Sequence, residues 1–569
     1  MRNLNKSFAI RLRYASEKNM LLRCNIFSLT CLIQLQSVLS QPSFIINFEA
    51  PSFITDEKFL SFSYDASQIK GIDNFGFFQS NRIDSLISGL SPAYFRFSGT
   101  DIDYMLFEED GKCDNSFMNK NTIESFNGCL NATQVIELLN ITSRTNTSLV
   151  FGINGYIGKS ELLPNGPWNN TNAITFFNWL QKTLQANPDL KKPVAFELGN
   201  EPDLWPQRAQ GEVLASDLSL FRNLLSQYPS LSDAFHFGPD PCWCYNGEDI
   251  LHNFSKALSS TLISSSNLHI TWHFYNNPKQ PAPLGMVNAS AGADVMISKI
   301  NSVRENIAKS GNLAAMSAPL VIGETGECTS GGCHVNNGTH DILYSEEFID
   351  SYLRLDKLGL AAAMNISVLM MEKIFGGNDG FINPLSFPLG PFWVHWLHKQ
   401  LVGSKVLEIT NSTTPGRNLR LYAQCARQMT SVSTASMSVP VYPPGAVVLM
   451  AINFDLNNSA SITLEDSNGT SLPLTPRDEY RLTGSMPDGL PNDDTNCRFG
   501  TQPHKIMYLP PPVCVNGQLL FLSDGPKGFN TTLPIVSPIS ITDPTQALSL
   551  PPLGLGFFVL NAAAAKACM

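Results

Sequence analysis

Short hydrophobic runs recur along the first part of the chain, and each ends in a polar or glycine-bearing break. Phe59–Ser67, Ala93–Thr100, Ser148–Gly155, Val194–Pro202, His236–Asp240, Leu268–Tyr275, Pro319–Gly326 and Val368–Gly376 read as strands. Between them lie stretches with helical spacing of apolar residues, such as Ala173–Ala186, Leu218–Ser226 and Ser345–Leu358. This repeated strand–helix alternation predicts an α/β fold, a (β/α)8 TIM barrel. Near Leu401 the helical spacing stops. Leu419–Ala426, Ala446–Asn453, Ala460–Glu465, Tyr480–Thr483, Lys505–Leu509, Gln518–Leu522 and Gly554–Leu560 are β-rich and separated by Pro, Gly and Ser, which predicts a C-terminal antiparallel β-sandwich. The expected division is residues 41–400 for the barrel and 401–569 for the sandwich, with an early strand, Ser43–Glu49, free to join the sandwich. The apolar end Leu553–Ala564 has the alternation of a last sandwich strand, a better fit than a lipid-anchor signal.

Two of the barrel strands deliver carboxylates. Val194–Pro202 ends in Asn200-Glu201-Pro202, and Pro319–Gly326 contains Gly323-Glu324-Thr325. In a barrel the strand ends form the active site, and glycoside hydrolysis uses a pair of carboxylates, one as acid and one as nucleophile or base. Glu201 and Glu324 are therefore the candidate catalytic pair. Pro202 is expected to hold Glu201 extended, because the proline ring disfavours helical geometry in the residue before it.

Composition narrows the class without changing the picture. At 43% hydrophobic, 15% charged and a net charge of −10, the chain has an ordinary globular make-up without the basic clusters of a nucleic-acid surface. Arg23 followed by the apolar stretch Cys24–Leu39 reads as a secretory signal, residues 1–40, with Met20 as an alternative start; no integral membrane span is expected in the mature chain. Ten cysteines remain after it, an even number that favours disulfides, and none has zinc spacing. About a dozen Asn-x-Ser/Thr sequons suit a glycosylated protein. The expected location is secreted or lysosomal. No cofactor and no metal are expected.

These motifs resemble those of the heparanase family, glycoside hydrolase family 79. Asn200-Glu201-Pro202 and Gly323-Glu324-Thr325 look like its acid/base and nucleophile motifs. Phe59-Leu60-Ser61, Pro92 to Thr100, Thr271-Trp272-His273-Phe274-Tyr275, Leu355 to Ala361 and Leu401 to Leu407 are similar to further segments of it. The resemblance runs from about residue 43 to the C-terminus. It implies a barrel plus β-sandwich and a retaining β-glucuronidase, with a glucuronic-acid-containing glycan or glycoside as substrate. It further implies that Glu201 is acid/base, Glu324 nucleophile, and Asn200 the partner of the sugar 2-hydroxyl. Tyr275 would orient Glu324, and His273 would line the floor. Asp65 and Thr100 would contact the non-reducing-end sugar, and the backbone of Gly331 and Gly332 would receive the uronic carboxylate.

The same resemblance pairs Cys425 with Cys568. Cys328 and Cys333 are expected to clip the glycine loop, and Cys113 and Cys129 to close the segment 101–130. That segment is short and acidic where the family carries a long basic linker, so a single-chain enzyme is expected. No partner is assigned to Cys242 or Cys244. The loops expected at the barrel mouth carry Lys159, Arg208 and Lys279 against Glu161, Asp203, Glu212, Asp240, Glu248, Asp249, Glu327 and Asp379. This acidic balance favours unsulfated or lightly sulfated glucuronides. Trp168, Trp205 and Trp243 are candidate sugar-stacking residues, with a place in the core the alternative for each. The competing readings are a hydrolase of another β-glycoside, or an inactive glycan-binding relative.

Overall fold

The computed structural model describes residues 43–569 except 70–76, 113–127, 158, 160–164, 259–266, 278–283, 289–291, 329–333, 337–340, 344–346, 377–379, 411–416, 429–437, 487–489, 493, 495, 498–509 and 525–529. Eight parallel strands close a barrel: β1 (Leu60–Asp65), β2 (Tyr94–Ser98), β3 (Ser148–Ile153), β4 (Ala195–Leu198), β5 (Phe235–Pro239), β6 (Leu268–Tyr275), β7 (Leu320–Gly326) and β8 (Val368–Met371). Seven lie within a predicted run and β5 begins one residue before its own; each pairs with its chain neighbour, β8 closing onto β1. A helix follows each strand: α1 (Asn81–Gly89), α2 (Ala132–Arg144), α3 (Thr171–Ala186), α4 (Gly211–Leu225), α5 (Gly247–Ala257), α6 (Ala293–Lys309), α7 (Asp350–Ala363) and α8 (Gly390–Leu401).

Alternation along the strands divides the barrel core in two. Phe95, Phe97, Phe151 and Phe196 point outward into the layer shared with the helices. Tyr94, Val150, Ala195, Phe237, Val321 and Val368 fill the barrel interior. The next inward position after Tyr94 is Arg96, and after Ala195 it is Glu197; both are buried. The interior thus changes from apolar at its base to charged below the mouth.

The sandwich uses strands from both ends of the chain. Its larger sheet orders Phe53–Ile54, β9 (Val402–Leu407), β10 (Leu419–Ala426), β11 (Val447–Asn453), then the late strand Leu555–Leu560 and Arg477–Gly484. The smaller sheet centres on Ala460–Glu465, with Ser43–Ile45 paired to it in parallel. Phe44, Leu421, Leu449, Ile462, Leu464, Leu548 and Phe558 form the dry layer between the sheets. β9 begins directly after α8 and was not foreseen as a strand. The Lys505–Leu509 strand, the signal segment and the 1–42 region lie outside the described residues. No helix among the described residues is long and apolar enough to cross a membrane.

The outer face of β10 packs on α7. Tyr422 lies so close to Gly359 that a Cβ there would come within 2.0 Å of its ring, and its hydroxyl donates to Asp356 at 2.6 Å. Arg420 donates to Asp294 of α6 at 2.7 Å. Disulfides join Cys425 to Cys568, as the resemblance implied, and also Cys497 to Cys514 and Cys242 to Cys244. Cys129 and Cys328 are also disulfide-bonded, while Cys113 and Cys333 lie outside the described residues.

The Cys425–Cys568 bond spans 143 positions and fastens the C-terminal turn to β10. Chain-entropy arguments assign a crosslink of that span about 4 kcal/mol. Cys568→Ser is expected to lower the thermal unfolding transition accordingly; an unchanged calorimetric trace would show that the crosslink contributes nothing.

Candidate active site

β4 stops at Leu198, and the chain turns through Gly199 at φ 80° and Glu201 at φ 42°. The extended geometry expected for Glu201 is therefore corrected. Two backbone bonds override the influence of Pro202: Glu201 N–H donates to the Asp240 carbonyl at 3.1 Å, and the Glu201 carbonyl accepts from Leu204 N–H at 2.8 Å. Such a conformation persists in a non-glycine residue only where its surroundings over-determine it. Across the mouth, β7 reaches Glu324 beside a register irregularity, and pairing with β6 sets Glu324 opposite His273.

Arg96 lies between them, fully buried on β2. Its guanidinium donates to Glu197 Oε2 at 2.9 Å, Glu324 Oε2 at 3.0 Å, Asn200 Oδ1 at 2.8 Å and Asp240 Oδ2 at 2.7 Å. His273 bridges the other pair of carboxyls, with Nδ1 2.8 Å from Glu201 Oε1 and Nε2 2.7 Å from Asp240 Oδ2. Tyr275 donates its hydroxyl to Glu324 Oε1. One oxygen from each of Glu201 and Glu324 and a His273 ring nitrogen lie within 4.8 Å of one another.

The charges divide by environment. Burial raises the Glu324 carboxyl, but the His273 and Arg96 charges and the Tyr275 hydroxyl outweigh it and hold Glu324 below its usual range. Burial also raises Glu201; the His273 contact opposes this, the Glu324 charge reinforces it, and the net shift is upward. His273 is lowered by burial, yet Asp240 and Glu324 push it well above an ordinary imidazole. Glu197 is pushed up to about 8 by burial against the pull of Arg96, and in its protonated form it donates to Asp240. Glu372, at the end of β8, is raised well above the usual range by burial and by the Glu324 and Asp65 charges.

Among the described residues, Glu201, His273 and Glu324 form the group with metal-holding geometry. The donor chemistry does not fit. Both His273 nitrogens face carboxylates and the ring favours its protonated form, whereas a metal needs a free imidazole lone pair. The arrangement suits proton transfer and carboxylate nucleophilicity instead.

Several anticipated residues converge here. Asn200 is buried, its Oδ1 taken by Arg96 and its Nδ2 without a protein partner, a free donor on the turn that carries Glu201. His273 lies beneath Glu201, and Tyr275 beside Glu324. Asp65 ends β1 and caps the following turn through Ser67 N–H at 2.8 Å; Thr100 is exposed at the turn after β2. Gly331 and Gly332 lie outside the described residues.

For Trp168 and Trp205 the core alternative holds, their indoles bonded to the Asn154 carbonyl and to Asp103; of the three, Trp243 alone is partly exposed, edge-on to Trp272. The charge balance is smaller than expected. Asp203, Asp240 and Glu327 are fully buried within hydrogen-bond networks, and Lys159 is buried against Asp217. Glu161, Lys279 and Asp379 lie outside the described residues. Arg208, which stacks on Tyr245 at 4.1 Å, then stands against the exposed Glu212, Glu248 and Asp249.

Sequence reasoning passed over Arg96, Glu197, Asp103 and Glu372, and read Asp240 as a surface charge. A signal existed for two of them: a lone charge within Tyr94–Phe97 and within Ala195–Leu198, on the inward register of a buried strand, must be paired.

Comparison with known proteins agrees with this geometry. The glycosyl hydrolase family 79 N-terminal domain matches residues 63–359. Heparanase of Bos taurus is 26% identical, over 92% of this chain and 91% of its own. Hyaluronoglucuronidase of Hirudo nipponia is 26% identical, over 70% and 79%. Inactive heparanase-2 of Homo sapiens is 23% identical, over 92% and 89%. The solved structure of a 4-O-alpha-L-rhamnosyl-beta-D-glucuronidase from Fusarium oxysporum shares the fold at TM-score 0.56 and 15% identity, covering 91% of this chain and all of that one. With more than half its length matched by the family domain, the chain belongs to glycosyl hydrolase family 79 and is a glycoside hydrolase.

Proposed function

We propose that the chain is a retaining β-glucuronidase with Glu324 as nucleophile and Glu201 as acid/base. The observation that carries this is the spacing of the two carboxyls, with oxygens within 4.8 Å. Retaining enzymes hold their pair about 5–5.5 Å apart, whereas inverting ones leave room for a water at about 6.5–9.5 Å. In the first half-reaction Glu324 attacks the anomeric carbon, the glycosidic C–O bond breaks, and the Glu201 proton passes to the departing oxygen. In the second, Glu201 takes a proton from water, the water oxygen attacks the same carbon, and Glu324 leaves as carboxylate. Asn200 Nδ2 donates to the sugar 2-hydroxyl.

The relatives named heparanase and hyaluronoglucuronidase support a glucuronic-acid-bearing glycan as substrate. The exposed loop charges Glu212, Glu248 and Asp249 against Arg208 favour an unsulfated or lightly sulfated one. The disulfides suit an exported protein, secreted or lysosomal. The relative named inactive heparanase-2 keeps a glycan-binding reading in view; the contacts of Arg96 with Glu324 and Asn200 and of His273 with Glu201 support the enzyme.

Glu324→Gln is expected to abolish turnover of every glycoside. Glu201→Ala is expected to slow natural glycosides by about 10²–10⁴-fold while sparing aryl substrates whose leaving group needs no proton, with azide restoring rate. Equal loss on both substrate types would contradict the acid/base role.

The pH profile follows from the two shifts. Glu324 must be ionised, so kcat/KM rises as pH climbs through its lowered pKa; Glu201 must be protonated, so kcat/KM falls as pH passes its raised pKa. In Glu201→Ala the alkaline limb should vanish with an activated aryl glucuronide, and its persistence would assign that limb to another group.

For sulfation, kcat/KM should rank an aryl glucuronide and desulfated heparosan above heparan sulfate at low salt. Heparan sulfate cleaved best, and faster at low salt, would require a basic cleft.

A further inference from the structure

Asp103 lies on the turn Thr100–Tyr104 after β2 and is buried at 1% exposure. Its carboxylate receives three N–H groups. Oδ1 accepts from the Gly155 backbone at 3.0 Å, and Oδ2 from the Asn200 backbone and the Trp205 indole, each at 2.9 Å. Its own carbonyl accepts from Ile157 N–H at 3.3 Å. One side chain therefore gathers the loops after β3 and β4 onto the turn after β2. Each of the three carboxylate partners is a donor and so favours the anion, while burial is the larger influence and pushes the Asp103 carboxyl up to about 7.

The gathered turn is the one that carries Glu201, and it is tightly enclosed. A Cβ on Gly199 would meet the Trp205 ring at 2.8 Å and Asp103 Oδ1 at 3.2 Å; a Cβ on Gly155 would meet Gly199 Cα at 2.8 Å. Glu201 itself has the left-handed backbone that its surroundings must enforce. On the far side, Asp240 supplies the carbonyl that receives Glu201 N–H. The Asn200 N–H bond to Asp103 is the restraint immediately preceding Glu201 in the chain.

We infer that Asp103 is a positioning residue for the acid/base carboxyl: by holding the Asn200 N–H and the Trp205 indole, it sets where Glu201 stands relative to the departing oxygen. This rests on Glu201 being the acid/base. Asp103 acts through Glu201 and touches no reacting atom. A displaced acid transfers its proton less well, and the penalty grows with the need of the leaving group for that proton.

The test compares Asp103→Asn, Trp205→Phe and Glu201→Ala on aryl β-glucuronides spanning poor to dinitrophenyl leaving groups, with kcat and KM separated. Asp103→Asn is expected to leave KM near the parent value and to lower kcat about 10²-fold on the poorest leaving group, the loss shrinking as the leaving group improves. Trp205→Phe, which removes one donor from the cradle, should show the same trend to a smaller extent. A loss equal across all leaving groups, a change confined to KM, or no change overturns the inference. If Asp103→Asn does not fold, Trp205→Phe decides alone, and a flat leaving-group dependence in it overturns the inference. Glu201→Ala separates the two levels. A flat dependence in that variant removes the acid/base reading and the inference with it, whereas a steep one beside a flat Asp103→Asn removes only the part given to Asp103.

Discussion

A guanidinium with no access to water is the constraint around which this active site is arranged. Arg96 sits inside the barrel, and a buried charge is tolerated only when opposite charge and hydrogen-bond acceptors surround it. It finds them on three other strands or their ends: Glu197 and Asn200 from β4, Asp240 after β5, and Glu324 on β7. His273 on β6 completes the set by joining Asp240 to Glu201. With Glu197 holding a proton, the Arg96 and His273 cations face the Asp240 and Glu324 anions, and the cluster is close to neutral. That balance lets the Glu324 carboxyl be held below its usual range a few ångströms from a Glu201 carboxyl held above it. The two glutamates differ by their neighbours: His273, Arg96 and Tyr275 outweigh burial at Glu324, whereas at Glu201 burial and the Glu324 charge outweigh His273.

Backbone geometry serves the same end. The left-handed conformations at Glu201 and Asp240 lie in adjacent loops and are tied to each other by the Glu201 N–H to Asp240 carbonyl bond. Asp203, two positions past Glu201, accepts from the Cys242 and Cys244 backbones at 2.8 and 3.0 Å and so fixes the loop after β5 to the turn that carries Glu201. Acidic residues that look in sequence like a repulsive rim are in large part the internal fastenings of the mouth.

The barrel was legible because buried parallel strands are continuous apolar runs, and seven of the eight fall inside the runs read from sequence, β5 starting one residue early. Glu201 and Glu324 were legible because each interrupts such a run at its end. β9 was missed because Val402-Gly403-Ser404-Lys405 lacks a strand's apolar pattern; it pairs with Phe53–Ile54 on one side and β10 on the other, and only Val402, Val406 and Leu407 are buried. The Cys497–Cys514 bond was missed because spacing alone does not fix connectivity. Asp103 and Asp240 were illegible for a different reason. Polar residues in loops normally face water, and only the closed barrel shows that these two turn inward onto backbone donors and a histidine.

The central claim is that the two carboxyls are spaced for a covalent glycosyl intermediate at Glu324. The most direct measurement is the anomeric form of the sugar first released from an aryl β-glucuronide, followed by proton NMR before mutarotation. The β-anomer is expected as first product, from two successive inversions at the anomeric carbon. First release of the α-anomer would mean that water attacks directly, and would contradict the role given to Glu324.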